Sequence, residues 1–199
     1  MRRRFTVEEY LALERQSETR NEYLDGEIFE MTGASRPHSF ISGSVFVALH
    51  RQLRGRPCEV HAHDMRLRVA ATNLYTYPDV FVVCGEPQLD DAYADTLLNP
   101  TLIVEVLSKS TEKYDRGEKF THYQKLASLA EYFLIAQDRV HVEHFVRQAG
   151  AEAGRSLQGM GWLFTETDRI EDELDLRSIG CTLALAEIYE RVIGGASAS

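Results

Sequence analysis

Two short apolar runs, each carrying one acidic residue, restrict this chain more than any other feature. In Thr101-Leu102-Ile103-Val104-Glu105-Val106-Leu107 the glutamate sits among aliphatic side chains, and in Tyr77-Pro78-Asp79-Val80-Phe81-Val82-Val83-Cys84 an aspartate follows a proline at the head of an equally apolar stretch. Continuous apolar runs of this length read as strands buried on both faces, which requires a sheet covered by helices. Proline suits the first residue of such a strand because it cannot donate a ladder hydrogen bond. An ionised glutamate in such a run needs a compensating cation. If the two strands pair as neighbours, Asp79 and Glu105 converge on one hard divalent cation, which takes oxygen ligands and keeps several waters. For either residue alone, a helix cap or a bond to an arginine is the alternative.

The flanking segments supply the covering layers. Thr6 caps a helix over Val7 to Arg15, with Glu9 at the capping-box position. Asp25-Gly26 between alternating apolar residues signals a hairpin. Apolar residues at helical spacing predict a helix over His38 to Arg54, ended near Gly55 and Pro57. Strands follow over Glu59 to Val69, Tyr77 to Cys84 and Thr101 to Leu107, then a helix over about Asp115 to Leu129, strands Tyr132 to Ala136 and Val140 to Val146, a further strand or two around Trp162, and a closing helix over Leu183 to Val192. The expected class is α/β (α+β), a mixed central sheet flanked by helices, in a single domain of 199 residues: a core over about 36–147, an extension over 148–192 and a flexible tail over 193–199.

Composition narrows the function classes. No apolar run approaches the roughly 18 residues that span a bilayer, and the basic start is followed by an acidic stretch rather than a signal-peptide core, so a cytoplasmic protein with no membrane partner is expected. The cysteines Cys58, Cys84 and Cys181 lack CxxC spacing and fit reduced, buried thiols. The net charge of −9 argues against nucleic acid until it is counted by region: Arg36 to Arg68 carries +4, Lys109 to Lys125 carries +2, and Ala151 to Ser199 carries −5. A phosphate-binding face and a solvated surface mosaic are both compatible with that segregation.

A metal-bound water also needs a cation to orient it and to offset developing charge. Lys119 and Tyr123 lie four residues apart on one helix stripe, so Lys119 points inward, whereas Lys125 faces elsewhere. Lys109 would serve only if the strand of Glu105 continued through Ser108. His61-Ala62-His63-Asp64 places two histidines on one strand face but lacks further ligands. His38, at a helix start, suits a phosphate contact or a cap. Glu22 and Glu27 flank the hairpin turn and read as solvent-facing residues, with a supporting role at the site as the alternative. Gly154, Gly159 and Gly161 do not form a phosphate loop, and no GxSxG elbow is present.

The ordered set Glu22-Tyr23-Leu24-Asp25-Gly26-Glu27-Ile28, Tyr77-Pro78-Asp79-Val80, Val104-Glu105-Val106-Leu107-Ser108 and Tyr114-Asp115-Arg116-Gly117-Glu118-Lys119, with His38, Tyr123 and Glu131-Tyr132, resembles the Uma-type restriction endonuclease family. That family is a branch of the PD-(D/E)xK nuclease superfamily, and the resemblance runs from about residue 5 to residue 147. It implies a restriction-endonuclease-like core preceded by a helix and hairpin, with Asp79 and Glu105 as motif carboxylates. Position 107 is leucine where the superfamily has its lysine, so the resemblance implies that Lys119 on the next helix replaces it.

The resulting expectation is a magnesium- or manganese-dependent DNA endonuclease. Asp79, Glu105 and the Val106 carbonyl hold the cation, and Lys119 positions the attacking water. Glu27, His38 and Tyr123 support the site, while Arg51, Arg54, Arg66 and Arg68 contact backbone phosphates. Cutting both strands of a duplex with one site per chain favours a homodimer. The runner-up is a nuclease-like module that binds DNA or protein without cutting it.

Overall fold

The computed structural model describes residues 3–31, 33–90, 93–148 and 161–193. The tail beyond Ile193 and the glycines Gly154 and Gly159 lie outside the described residues. Helix α1 (Val7–Glu14) starts with the expected capping box, in which Thr6 Oγ1 accepts from Glu9 N–H and the Glu9 carboxylate accepts from Thr6 N–H. Strands β1 (Asn21–Leu24) and β2 (Glu27–Glu30) form the expected hairpin. Its turn residues Asp25 and Gly26 both have positive φ, 43° and 96°, as a type I′ turn demands. Helix α2 (Arg36–Leu53) is capped by Ser35, whose hydroxyl accepts from His38 N–H.

Next come β3 (Cys58–Ala62), β4 (Arg66–Val69), β5 (Leu74–Thr76), β6 (Val80–Cys84), β7 (Thr96–Leu97) and β8 (Leu102–Leu107). A continuous helical run follows, made of α3 (Glu112–Tyr114), a π-helical turn (Asp115–Lys119) and α4 (Phe120–Tyr123). Strands β9 (Glu131–Ala136), β10 (Val142–Arg147), β11 (Trp162–Thr167), β12 (Glu173–Leu176) and β13 (Cys181–Ala184) lead to α5 (Leu185–Tyr189).

The central sheet has the order β11-β10-β9-β8-β6-β3; β8 and β9 are parallel and their other neighbours antiparallel. Period-2 alternation sorts its core strands between two hydrophobic layers. Val80, Val82, Val104, Val106, Phe133 and Ile135 pack with Ile41, Val45 and Leu49 of α2 and with the β12–β13–α5 segment. Phe81, Val83, Ile103, Leu107, Tyr132 and Leu134 face Phe120 and Tyr123 of the helical run, together with Leu67 and Leu74 of a second sheet. That second sheet has the order β2-β1-β5-β4-β7.

The second sheet corrects two strand expectations. The run Glu59 to Val69 breaks at His63, whose φ is 49°, and Asp64 N–H closes a tight turn on the Ala62 carbonyl. The chain thereby leaves the central sheet at β3 and enters the second at β4. The run from Tyr77 begins its strand only at Val80, because β5 belongs to the second sheet and Pro78 lies between them. The helix expected to reach Leu129 ends at Tyr123, and Leu126 and Leu129 are buried from the loop that follows. The expected trio of free thiols is also corrected. Cys58 and Cys84, opposite one another on β3 and β6, are disulfide-bonded, and only Cys181 is a free, buried cysteine among the described residues. No helix among the described residues is long and apolar enough to cross a membrane.

Candidate active site

Asp79 and Glu105 owe their meeting to strand register. Val80 of β6 stands opposite Val104 of β8 in an antiparallel pair, so the residue before Val80 faces the residue after Val104. Asp79 N–H donates to Glu105 Oε2 at 3.3 Å, and Val106 N–H donates to Asp79 Oδ2 at 2.7 Å. Glu105 shares its face with Ile103 and Leu107 and is 3% exposed, so it occupies a position its sheet neighbours fill with aliphatic side chains.

The compensating cation comes from the helical run that covers this face. Lys119 Nζ lies 3.0 Å from Glu105 Oε1, 3.2 Å from Glu22 Oε1 and 3.8 Å from Asp115 Oδ1. Tyr123, one turn further on, donates its hydroxyl to Glu105 Oε1 at 2.7 Å. The π-helical turn ends at Lys119, and such turns recur at functional sites because they re-aim the residues they carry. His38, in the first turn of α2, brings Nε2 to 3.2 Å from Asp79 Oδ2.

Three carboxylates therefore gather around one ammonium, and a fourth, Asp79, adjoins Glu105. Burial, reinforced by the charges of Asp79 and Asp115, pushes Glu105 up against the pull of Lys119 and Tyr123. Burial likewise raises Asp115, opposed by Lys119. Burial lowers the Lys119 ammonium, but Glu105, Glu22 and Asp115 outweigh it and hold the group well above its ordinary value. Burial also works against charge on His38, and the bond to Asp79 with the nearby carboxylates outweighs it, so this imidazole is raised. Lys119 is thus a fixed positive charge and a hydrogen-bond donor rather than a base.

The donor set fits a small hard cation. No group of three His, Cys, Asp or Glu side chains stands ready to hold a metal among the described residues. A magnesium-type ion does not require one, since it is bound by one or two carboxylates and fills its shell with water and substrate phosphate oxygens. Asp79 and Glu105 supply two carboxylates, and the surplus of negative charge around them is what such an ion would offset.

The structure brings together Asp79, Glu105, Lys119, Tyr123 and His38, and it adds two residues that sequence reasoning undervalued. Glu22, not Glu27, reaches Lys119, and its carboxylate also accepts from Thr76. Glu27 is on edge strand β2, and none of its bonds among the described residues reaches the site. In a hairpin an acidic residue between apolar ones looks solvent-facing, and only the sheet packing beside α4 shows that Glu22 is covered. Asp115 stood one helical turn before Lys119, a spacing that could have flagged it. Lys109 lies beyond the end of β8 and is exposed, which leaves Lys119 as the lysine at Glu105.

The four arginines expected to contact phosphates are placed differently from one another. Arg66 is buried, with its guanidinium bonded to Thr96, Tyr77 and Asp95, and cannot reach a phosphate without dismantling that network. Arg68 is paired with Asp90 beneath Tyr75. Arg51 is paired with Glu187, and both Arg51 and Arg54 sit toward the far end of α2; at 1.5 Å per residue Arg51 is about 20 Å along the axis from His38. The two histidines of the HxHxD sequence diverge. His61 stacks on Phe81 and bonds to Glu59, while His63 turns at the strand break toward Ser42.

The site is thus an aspartate and a glutamate side by side on adjacent strands of a mixed sheet, with a lysine from the next helix. The architecture aligns with the crystal structure of a "putative nuclease belonging to DUF820" from Anabaena variabilis at a TM-score of 0.72 and 17% identity, covering 95% of this chain and 99% of that one, which shows the shared fold. The chain belongs to the Uma2 family, whose description is "Putative restriction endonuclease" and which matches residues 7–184. Two Synechocystis proteins are similar along most of their length: the uncharacterized protein slr1290, 34% identical over 186 residues (94% of this chain and 92% of that one), and the uncharacterized protein sll1609, 35% identical over 161 residues (81% and 86%).

Proposed function

We propose that this protein is a magnesium- or manganese-dependent endonuclease that hydrolyses DNA phosphodiester bonds. The observation that carries the reading is the convergence of Asp79 and Glu105 from paired strands, with the Lys119 ammonium 3.0 Å from Glu105. Asp79 and Glu105, with the Val106 carbonyl, would hold the cation. When bound, that cation supplies a more acidic water and positive charge for the scissile phosphate.

The chain's own groups do the positioning. Val106 N–H and His38 orient Asp79, while Tyr123 and Lys119 orient Glu105. Lys119, kept protonated by its acidic neighbours, donates hydrogen bonds to the attacking water and to the phosphate oxygens as negative charge develops on them. Family membership supports a nucleic-acid substrate.

Nicking of supercoiled plasmid with Mg²⁺ tests the reading. Wild type should nick, and Asp79→Ala, Glu105→Ala and Lys119→Ala should each lose at least about a hundredfold in rate, as is typical when an electrostatic group is removed from a reacting centre. Undiminished cleavage by Glu105→Ala would reject the assignment.

A further inference from the structure

The site has an electrostatic problem that its own residues do not solve. Glu22, Glu105 and Asp115 stand within 4 Å of the single Lys119 and Asp79 adjoins Glu105, so a polyanion entering that field is repelled unless cations stand at the entrance. Most arginines and lysines of the described residues are already bound to a carboxylate, which offsets their charge, or to backbone carbonyls, which occupy their donors. Arg36, Lys109 and Lys113 differ: all three are exposed, and none has a side-chain ion pair or hydrogen bond among the described residues. Glu112, the acidic residue beside Lys113, is already taken by Arg116 at 2.8 Å.

Their positions in the chain tie them to the site. Arg36 opens α2 two residues before His38, which touches Asp79. Lys113 stands two residues before Asp115, which neighbours Lys119. At 3.8 Å between consecutive Cα atoms, each of these two Cα atoms is within about 8 Å of a site residue's Cα. Lys109 follows the end of β8, whose Glu105 and Val106 form the floor of the site. The other described cations without a partner are placed differently. Arg54 is at the opposite end of α2, and Lys125 is half-buried beyond α4.

We propose that Arg36, Lys109 and Lys113 form a basic rim that grips the sugar–phosphate backbone on either side of the scissile phosphate, independently of base sequence. The proposal takes its ligand class from the nuclease reading above. It replaces the arginines of β4 and of the far end of α2 as the phosphate contacts, and it explains how a chain of net charge −9 presents cations where a nucleic acid has to enter. Phosphate contacts of this kind contribute affinity and steep salt dependence but little specificity.

The test is fluorescence anisotropy of a fluorescein-labelled duplex of mixed sequence, titrated with the full chain in EDTA at several salt concentrations between about 50 and 200 mM. Removing one phosphate-binding cation should reduce the slope of log K against log salt by about 0.9. Arg36→Gln, Lys109→Gln and Lys113→Gln should each weaken binding to unrelated sequences alike, and the triple variant should flatten the slope by about 2.7. Arg51→Gln with Arg54→Gln should leave affinity and slope unchanged. All these side chains are exposed, and melting temperatures equal to wild type verify that the variants are folded. A triple variant with wild-type affinity and slope overturns the rim, as does a wild type that shows no salt-dependent binding. Nicking assays on the same preparations separate the two readings. Rim-dependent binding without Glu105-dependent cleavage sustains the rim and sinks the endonuclease, and Glu105-dependent cleavage with a dispensable rim does the reverse.

Discussion

Lys119 and Glu105 form a buried ion pair, 3.0 Å from nitrogen to oxygen, that joins the helical run to the centre of the main sheet. Neither side chain is tolerable without the other in that location, because a desolvated charge with no partner is far more costly than the pair is stabilising.

Replacing Lys119 with methionine should therefore destabilise the fold by about 3–5 kcal/mol, since Glu105 and Glu22 lose their shared cation. The double variant Glu105→Gln/Lys119→Met should recover part of that loss by removing both charges together. Urea unfolding midpoints measure both, and a single variant as stable as wild type would refute the coupling.

Tyr123 contributes a 2.7 Å hydrogen bond to Glu105 from a fully buried hydroxyl. Tyr123→Phe keeps the ring packing and removes only the donor, so a cost of about 1–3 kcal/mol is expected. Nicking should slow while duplex affinity is retained, because the tyrosine positions Glu105 and does not touch DNA. Equal losses in rate and affinity would contradict that role.

Magnesium should stabilise the folded chain, because the unfolded chain lacks the paired carboxylates. At a hundredfold excess over Kd the gain is about 2.7 kcal/mol, or roughly 5–10 °C in melting temperature for a chain of this size. Asp79→Asn and Glu105→Gln should each abolish the shift in a thermal melt. An unchanged shift in both variants would place the cation elsewhere.

Acid should weaken the anchor of α1. Burial disfavours charge on Asp95, but Arg15 and Arg66, each 2.8 Å away, hold its carboxyl well below the usual range. A depressed carboxylate gives stability that is complete above its unfolded value of 3.8 and is lost as the pH falls below it. Asp95→Asn should cost about 1 kcal/mol at pH 7, a modest figure because the group is partly exposed, and the gap to wild type should narrow toward pH 3. A gap independent of pH would mean that the ion pairs are not its source.

Local rules read much of this molecule correctly. The capping box at Thr6, the Asp-Gly turn, the apolar stripe of α2 and the buried runs around Asp79 and Glu105 are all interactions within a few residues, so periodicity and turn chemistry expose them. Elements failed where the chain changes sheets. Glu59 to Val69 alternates polar and apolar residues except at His63-Asp64, where the phase slips by one, and there a left-handed residue at His63 divides the run between two sheets. That slip is the only local sign of a break, and it does not tell which sheet each half joins.

The sequence by itself determined that an aspartate and a glutamate stand in apolar runs that read as buried strands and that a lysine on the following helix lies on its inward stripe, because strand and helix periodicities set side-chain direction from local geometry alone. Only the tertiary structure decided that those two strands are neighbours and which charges meet. Packing of the second sheet against the helical run drew Glu22 in and left Glu27 at an edge, enclosed Arg66 among tyrosines, and left Arg36, Lys109 and Lys113 uncovered. Burial and pairing depend on contacts between distant segments, and a charged side chain reads the same in sequence whether solvent or a carboxylate surrounds it.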